Sequence, residues 1–396
     1  MLCLCRPVKR FICNWQLQCL ALPTDLRQAV DSLRKSTGST ASQIRICGIS
    51  RLGLLVSQTC VLGQNCQRRL ANHILANMIK SVNIKVPTDH AIRTKWAVAG
   101  PFYREFAEKM HAQGIQSLTT GGNACIVYAL AQATKDCDII VPLDKSDEVL
   151  KILADTTFLG AKPYYYLKYG APFTQRWLEG GWSSHTYFGP ESDPSARLDL
   201  FVKPPRVDHP GYDTDPLYLS RDGVARMKKT RRLRDWAYAD LLGMQMLREK
   251  KDVHGLLHVT SIRELVEYAT NVEIPSELIQ ERPLLRLARE NNPELERYVK
   301  AEMEFWQKLD DLRLNVYLDA WKPYGQMVQK DKRLSGMHIL EQHERLVEIA
   351  AEFLEPDPIA EIGENHLIQT AKTKTEGVFG KLNRDLLPNP TIFARS

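Results

Sequence analysis

Residues 118–142 read LTTGGNACIVYALAQATKDCDIIVP, and this stretch decides the fold that the sequence predicts. A glycine pair, Gly121-Gly122, follows a short apolar segment and precedes NACIVYALAQA, whose composition is typical of a helix. Two aspartates, Asp136 and Asp138, then stand one residue apart in the apolar run KDCDIIVP, which predicts a β-strand ended by proline. Strand, glycine turn, helix and strand in this order predict a compact α/β unit.

The two aspartates predict a metal site. Alternate residues of a strand project from the same face, so we expect the carboxylates of Asp136 and Asp138 side by side. Adjacent carboxylates repel each other unless a cation lies between them, and ligand sets made only of oxygen suit Mg²⁺ or Mn²⁺. The later strand ARLDLFVKP offers Asp199 between apolar residues. Three aspartates on adjacent strands would hold metal ions that activate an attacking oxygen and bind a triphosphate.

The glycine pair predicts a place where the backbone comes close to a phosphate. Because glycine lacks a Cβ, backbone N–H groups and the positive end of the following helix can face an anion there. Asn123 is placed to add a side-chain donor. Each motif alone also has an ordinary interpretation, a simple turn for the glycines and a solvated surface pair for Asp136 and Asp138. Their occurrence together, with Asp199 downstream, favours a functional site.

At these residues the sequence resembles the nucleotidyltransferase superfamily related to DNA polymerase β. The signature of that superfamily is a Gly-Gly or Gly-Ser turn, a helix, Asp-x-Asp or Asp-x-Glu on a strand, and a third acid on a later strand. The segment YALAQATKDCDIIV looks most like the small bacterial MNT-type and AbiEii-type branch, in which a threonine stands two residues before the first aspartate, as Thr134 does here. The resemblance implies transfer of a nucleoside monophosphate from an NTP to a hydroxyl or phosphate acceptor, with release of pyrophosphate.

The resemblance also implies roles for individual residues. Asp136 and Asp138 would bind both metal ions, Mg²⁺ or Mn²⁺, while Asp199 would be the third ligand and would help to deprotonate the acceptor. The residues implied in nucleotide binding are Gly121, Gly122, Asn123, Thr134, Lys228 and Lys229. Lys229 or its neighbours in MKKTRRLRDWAYAD would offset the charge that develops on pyrophosphate. The acceptor stays open among an RNA end, a protein and a small molecule, and a cognate toxin or antitoxin is among the partners that this branch implies.

We therefore predict an α+β fold, in which a mixed sheet of nucleotidyltransferase type with flanking helices is followed by a mostly helical C-terminal region. The predicted units are a basic, Cys-rich extension (1–97), the catalytic domain (98–207), a basic and amphipathic helical region that completes it (208–260), and a helical C-terminal region (261–396). One helix is predicted over 225–248 and another over 292–321. The final thirty residues are polar and contain Gly and Pro, which predicts a loose tail.

Bulk composition sets broad limits on the class of protein. The chain has 396 residues, of which 44% are hydrophobic, and its formal charge of +6 is too mild to identify a nucleic-acid binder by itself. Seven of the nine cysteines lie in the first 66 residues without C-x2-C pairs or an intervening His, which favours reduced thiols over zinc ligands or disulfides. No apolar run approaches the length of a membrane span, so we expect a cytoplasmic protein without membrane contact.

Two further groups of residues have an ordinary interpretation beside a functional one. The aromatic stretch KPYYYLKYGAPFTQRWLEGGW would suit a stacking wall for a base, but core packing is favoured for most of its rings. The histidines are interpreted as structural or exposed: His185, His209, His254 and His258. Two other classes of function stay open, a non-catalytic nucleotide- or partner-binding member of the fold, such as a toxin–antitoxin component, and a DNA-binding regulator built on the N-terminal segment.

Overall fold

The computed structural model describes residues 90–388, 390 and 392. The Cys-rich extension up to residue 89 and the DNA-binding alternative therefore lie outside the described residues. Five strands form one mixed sheet in the order β1-β2-β5-β4-β3. The strands are β1 (Leu118–Thr119), β2 (Cys137–Ile140), β3 (Pro163–Tyr165), β4 (Ser183–Phe188) and β5 (Ala196–Phe201). Only the pair β2–β5 is parallel within this sheet.

Helices flank the sheet and make up nearly all of the regular structure after β5. In the α/β part they are α1 (His90–Ala112), α2 (Gly121–Val127), α3 (Ser146–Ala154) and α4 (Gln175–Leu178). After β5 they are α5 (Arg221–Met227), α6 (Leu233–Gln245), α7 (Ile262–Asn271), α8 (Ser276–Glu281), α9 (Leu285–Arg289), α10 (Leu295–Lys330), α11 (Ile339–Phe353), α12 (Pro358–Ile362) and α13 (Glu364–Phe379). The predicted α+β class with a mixed sheet and a helical C-terminal region is confirmed.

The two faces of the sheet pack against different sets of helices. Cys137 and Ile139 of β2 point to the first face and are fully buried in a core shared with α1, α3 and the C-terminal helices. Ile140 and Phe201 point to the second face and pack with apolar residues of α2, α5 and α6. This period-two alternation places Asp138 on the second face. The Asp138 carboxylate therefore lies on the sheet face that α2, α5 and α6 cover only in part.

The C-terminal helices share the core of the sheet. Phe305 of α10 is fully buried in the same cluster as Cys137, although one residue lies in the predicted C-terminal region and the other in the predicted catalytic domain. Trp177 Nε1 donates to the Leu354 carbonyl at 3.2 Å, which adds a polar link between α4 and the end of α11. A single core thus spans the predicted boundaries at 207 and 260.

The loose tail predicted over the final thirty residues is wrong for residues 367–379, which belong to a helix. Residues Glu364–Phe379 form α13, which packs along α10. Leu367, Ile368 and Ala371 are its buried contacts. The polar residues between them lower the mean hydropathy of the segment, but three- and four-residue spacing still gives the helix one apolar side.

The single helix predicted over 225–248 is also wrong. The structure has two helices there, because α5 ends at Met227 and α6 begins at Leu233. Thr230 lies in the break, where its carbonyl accepts a hydrogen bond from Trp236 Nε1 at 2.8 Å and its hydroxyl donates to Asp235 at 2.8 Å. These local bonds compete with helix continuation, as Thr and Asp side chains often do.

The helices of the described residues include none that is long and apolar enough to cross a membrane.

A buried ion pair holds the C-terminal helices together. Arg282 and Glu302 are each 2% exposed, and Arg282 Nη2 lies 2.6 Å from Glu302 Oε2. Arg282 Nη1 also donates to the carbonyls of Leu256 and Val259 at 2.6 and 2.7 Å. Such a pair is costly to break, because the remaining partner keeps a buried charge without its counter-charge.

We predict that Glu302→Ala lowers the free energy of unfolding by about 3–5 kcal/mol, since it leaves the Arg282 guanidinium buried and unpaired. Glu296→Ala, on the same helix, is the matched control. Its partner Lys300 and Glu296 itself are 62% and 64% exposed, so the expected loss is under about 1 kcal/mol. Urea unfolding followed by circular dichroism measures both, and equal losses would contradict the prediction.

Candidate active site

Strand register brings the acidic residues into one row. Asp138 of β2 is paired with Asp199 of β5, and Asp199 is paired with His185 of β4. Paired residues of neighbouring strands project from the same face, so these three side chains lie side by side across three strands. Asp136 precedes β2 by one residue and has the same parity as Asp138. The structure thus places the three predicted aspartates on one face of the sheet, and we call Asp136, Asp138 and Asp199 the acidic row.

The carboxylates stand in an unfavourable electrostatic environment. Burial, followed by the charges of Asp136 and Asp199, raises the pKa of Asp138 well above the usual value. Burial and the charge of Asp199 also raise the pKa of Asp136, although a hydrogen bond from Thr134 Oγ1 to Asp136 Oδ1, at 3.2 Å, opposes that rise. Raised carboxyl pKa values caused by burial and by each other are a common feature of functional sites.

Two properties of the three aspartates bear on metal binding: their oxygen donor atoms and the lack of a partner for the Asp138 carboxylate within the described part of the chain. Among the described residues, no three His, Cys, Asp or Glu side chains converge closely enough to form a ready metal-binding group, although the three aspartates share one face of the sheet. The Asp138 carboxylate nevertheless has no hydrogen bond or ion pair with any described residue, although it is half-buried beside two other acids. A divalent cation would relieve that repulsion, and an all-oxygen donor set suits Mg²⁺ or Mn²⁺. Asp136, Asp138 and Asp199 are therefore the residues that fit such an ion.

The glycine pair allows α2 to contact the carboxylates. Gly121 has φ +62°, and a Cβ built on it would lie 1.8 Å from Asp138 Oδ2. A Cβ on Gly122 would lie 2.3 Å from Thr134 Oγ1. The sequence predicted the pair as a turn ahead of the helix, but the two glycines are its first residues and Thr120 is the N-cap. Their lack of side chains therefore serves close packing against Asp138 and Thr134.

Asn123 does not offer the free donor that the sequence predicted. Its side chain is 3% exposed, and Nδ2 donates to the Asp136 carbonyl at 2.9 Å. This bond fastens α2 to the start of β2. Asn123 is therefore a positioning residue for the aspartate pair in this structure.

The two adjacent lysines contact different parts of the protein, since the Lys228 amino group lies over Tyr238 of α6 and that of Lys229 lies over Trp306 of α10. Lys229 is 6% exposed, donates to the Leu257 carbonyl at 2.9 Å and lies over the ring of Trp306. Burial lowers the pKa of Lys229 to about 8. The prediction that places Lys229 at the site is thus corrected, since its amino group faces the C-terminal helices.

Of the two lysines, Lys228 is the one whose charge affects the aspartates. Its positive charge lowers the pKa of both Asp136 and Asp138, against the larger effect of burial. Arg232 acts on Asp138 in the same direction. Cations of the basic run Arg226–Arg234 are also paired with other acids. Arg226 is paired with Asp222 and Glu281, and Arg232 itself donates to Asp235 at 2.7 Å. Only part of the run therefore contributes positive charge near the carboxylates.

His185 is a site residue that sequence reasoning missed. Its Nδ1 donates to Asp199 Oδ1 at 2.6 Å, and its Nε2 accepts from the Ser183 hydroxyl at 3.1 Å. The signal that could have identified it is the β4–β5 hairpin, in which pairing outward from Phe188 and Ala196 sets His185 opposite Asp199. Of the other histidines considered, His258 is buried against Asp222 and is no part of the acidic row.

The aromatic stretch divides between the two faces of the sheet. Four of its rings are buried in the core, as expected: Tyr165, Phe173, Trp177 and Trp182. Three other tyrosines lie on the side of His185 and are half-buried or exposed: Tyr164, Tyr166 and Tyr169. Core packing therefore explains the first group but not the second.

Comparisons with known proteins identify no relative, since no family model, curated protein or solved structure matches the chain.

The close contact at Gly121 predicts a mutation effect beyond backbone strain. Gly121→Ala would place a methyl group 1.8 Å from Asp138 Oδ2, in addition to a φ of +62° that disfavours L-residues. Gly114→Ala is the control, because Gly114 has φ +77° and open space around its Cβ position. We expect a loss of about 1–2 kcal/mol at Gly114 and a larger loss at Gly121, measured by urea unfolding. Equal losses would show that the contact with Asp138 is unimportant.

The raised pKa of Asp138 predicts a pH dependence of stability. The folded state binds the proton more tightly than the unfolded chain, so stability falls as pH rises above about 4, the ordinary value for an aspartate. In EDTA, Asp138→Asn should therefore be more stable than the wild type at pH 7, by a difference that shrinks toward pH 4. Unfolding curves between pH 4 and 7 measure it. The control Asp193→Asn removes a carboxylate that is 70% exposed, and its curve should parallel that of the wild type.

Proposed function

We propose that this protein is a metal-dependent nucleotidyltransferase, which moves a nucleoside monophosphate from an NTP to an acceptor and releases pyrophosphate. The observation that carries the proposal is the side-by-side placement of Asp138 and Asp199, with Asp136 adjacent, where burial and mutual repulsion raise carboxyl pKa values. A row of carboxylates that is this unfavourable by itself is explained by a cation that it binds. The motif resemblance, from Gly121 to Asp199, supports the same reaction class.

The carboxylates are the residues that would hold Mg²⁺ or Mn²⁺ in this reaction. A divalent ion bound there would polarise the acceptor hydroxyl and neutralise charge on the triphosphate. The acceptor hydroxyl gives its proton to the Asp199 carboxylate as its oxygen forms a bond to the α-phosphorus, and the bond from that phosphorus to pyrophosphate breaks. His185 holds Asp199 in place through the 2.6 Å hydrogen bond.

Positive charge for the phosphates comes from the connection between α5 and α6. Lys228 lies over the ring of Tyr238, and Arg232 donates to Asp235, so both cations lie against α6. The charges of both lower the pKa of Asp138. A triphosphate placed on that side would have its negative charge offset as pyrophosphate leaves. Lys229 takes no part, because its amino group is bonded to the Leu257 carbonyl.

We predict that Asp138→Asn and Asp199→Asn each reduce metal-dependent pyrophosphate release by at least about a hundredfold, since each removes several kcal/mol of stabilisation of the developing charge. The assay supplies each of the four NTPs, Mg²⁺ or Mn²⁺, and a cell extract as the source of acceptor. Asp193→Asn is the matched control and should keep wild-type turnover, because Asp193 lies in the exposed loop before β5 and pairs with Lys95.

Unchanged turnover in folded Asp138→Asn would overturn the proposal. Stabilisation without turnover would instead favour a non-catalytic nucleotide-binding protein. NTP with Mg²⁺ would then raise the melting temperature of the wild type and not of Asp138→Asn, while no pyrophosphate would form under any condition.

A further inference from the structure

Four tyrosines form a continuous group beside the acidic row, and we call them the tyrosine strip: Tyr164, Tyr166, Tyr169 and Tyr187. The rings of Tyr166 and Tyr187 are stacked, with centroids 4.5 Å apart and planes inclined by 22°. Tyr169 meets Tyr166 edge to face at 4.9 Å, and Tyr164 meets Tyr187 in the same way at 6.3 Å. The rings therefore hold each other in fixed orientations.

The tyrosine strip begins where the acidic row ends. Tyr187 lies two residues from His185 on β4 and projects from the same face. Tyr169 approaches the His185 ring to 4.6 Å, and His185 is bonded to Asp199. A molecule that lies on the tyrosine strip can thus present a terminal group to Asp199.

Core packing does not explain this group. Tyr165, between two members of the strip, points to the other face and is 4% exposed, as a core residue should be. Tyr169 is 45% exposed, while Tyr164 and Tyr166 are half-buried above the buried ring of Tyr187. Ordered aromatic rings that reach solvent next to a reactive group are a ready surface for stacking, because little side-chain entropy is lost on binding.

Positive charges accompany the rings. The Arg197 guanidinium lies over Tyr187 at 5.3 Å, and the exposed Lys168 amino group lies 5.9 Å from the centre of Tyr166. Aromatic faces interleaved with cations suit bases joined by phosphates. The other cations near the acidic row, Lys228 and Arg232, belong to the side that covers the triphosphate in the proposed function.

We propose that the tyrosine strip binds the terminal bases of a single-stranded nucleic acid, whose terminal hydroxyl is the acceptor of the transferase. This inference rests on the proposed function for the chemistry, but the binding surface is independent of turnover. Stacking on Tyr166 and Tyr169 is tolerant of base identity, so affinity depends on the strand being unpaired. Arg197 and Lys168 contact the phosphates between the stacked bases.

Binding is tested with a fluorescent single-stranded RNA of about twelve nucleotides, within the range that such surfaces accommodate. Anisotropy is measured in EDTA, so that no transfer occurs, and the same sequence is offered as single-stranded DNA and as a duplex. We expect both single strands to bind and the duplex to bind more weakly. Tyr166→Ala and Tyr169→Ala should each weaken single-strand binding about tenfold, and Tyr169→Trp should retain it.

Tyr212→Ala is the matched control, because Tyr212 is 57% exposed and lies outside the strip. Equal weakening by Tyr212→Ala, or absence of wild-type binding to either single strand, would overturn the inference. Transfer of the nucleoside monophosphate onto a protein or a small molecule, with pyrophosphate released and without oligonucleotide binding, would overturn it and leave the transferase proposal intact. Oligonucleotide binding that depends on Tyr166 and Tyr169 without any pyrophosphate release would support the binding surface and contradict only the transferase.

Discussion

Parallel pairing of β2 with β5 forces two carboxylates together, and the arrangement of the site depends on this constraint. The register sets Asp138 beside Asp199, while Cys137 and Leu198 on the opposite face are fully buried. Neither aspartate can leave the row without moving those core residues, because a shift by one residue exchanges the two faces of a strand. Hydrophobic packing behind the sheet therefore stabilises an arrangement that electrostatics alone would oppose.

The C-terminal helices contribute to the site by fixing the break between α5 and α6. Asp310 of α10 accepts a hydrogen bond from the Arg231 amide at 3.1 Å, and Trp306 of α10 lies under the Lys229 amino group. These contacts turn Lys229 inward, and Lys228 is left to act on the carboxylates. Lys228 and Arg232 thus act on the acidic row near Asp138, whereas the tyrosine strip, with its own cations, lies beside His185 at the other end. The site therefore has two chemically different approaches.

Much of the fold could be predicted because its signals are local. The alternation in KDCDIIVP and ARLDLFVKP indicated β2 and β5, and the apolar spacing after residue 292 indicated α10, which runs over Leu295–Lys330. The misses arose where context overrides composition. The polar segment Glu364–Phe379 becomes helical because Leu367 and Ile368 are buried against the rest of the protein. The helix predicted over 225–248 is broken because Thr230 bonds to Asp235 within the turn.

The sequence by itself determined the strand, helix and strand within residues 118–142, the placement of Asp136 and Asp138 on one side of a strand, and Asp199 as a third acid with apolar neighbours. Tertiary structure alone decided that His185 holds Asp199, that Gly121 packs against Asp138, and which tyrosines face the acidic row. The physical reason is the distance along the sequence over which each interaction acts. Backbone periodicity is set by neighbours along the chain, whereas strand pairing and the direction of a side chain in a turn are set by burial against residues far away in sequence.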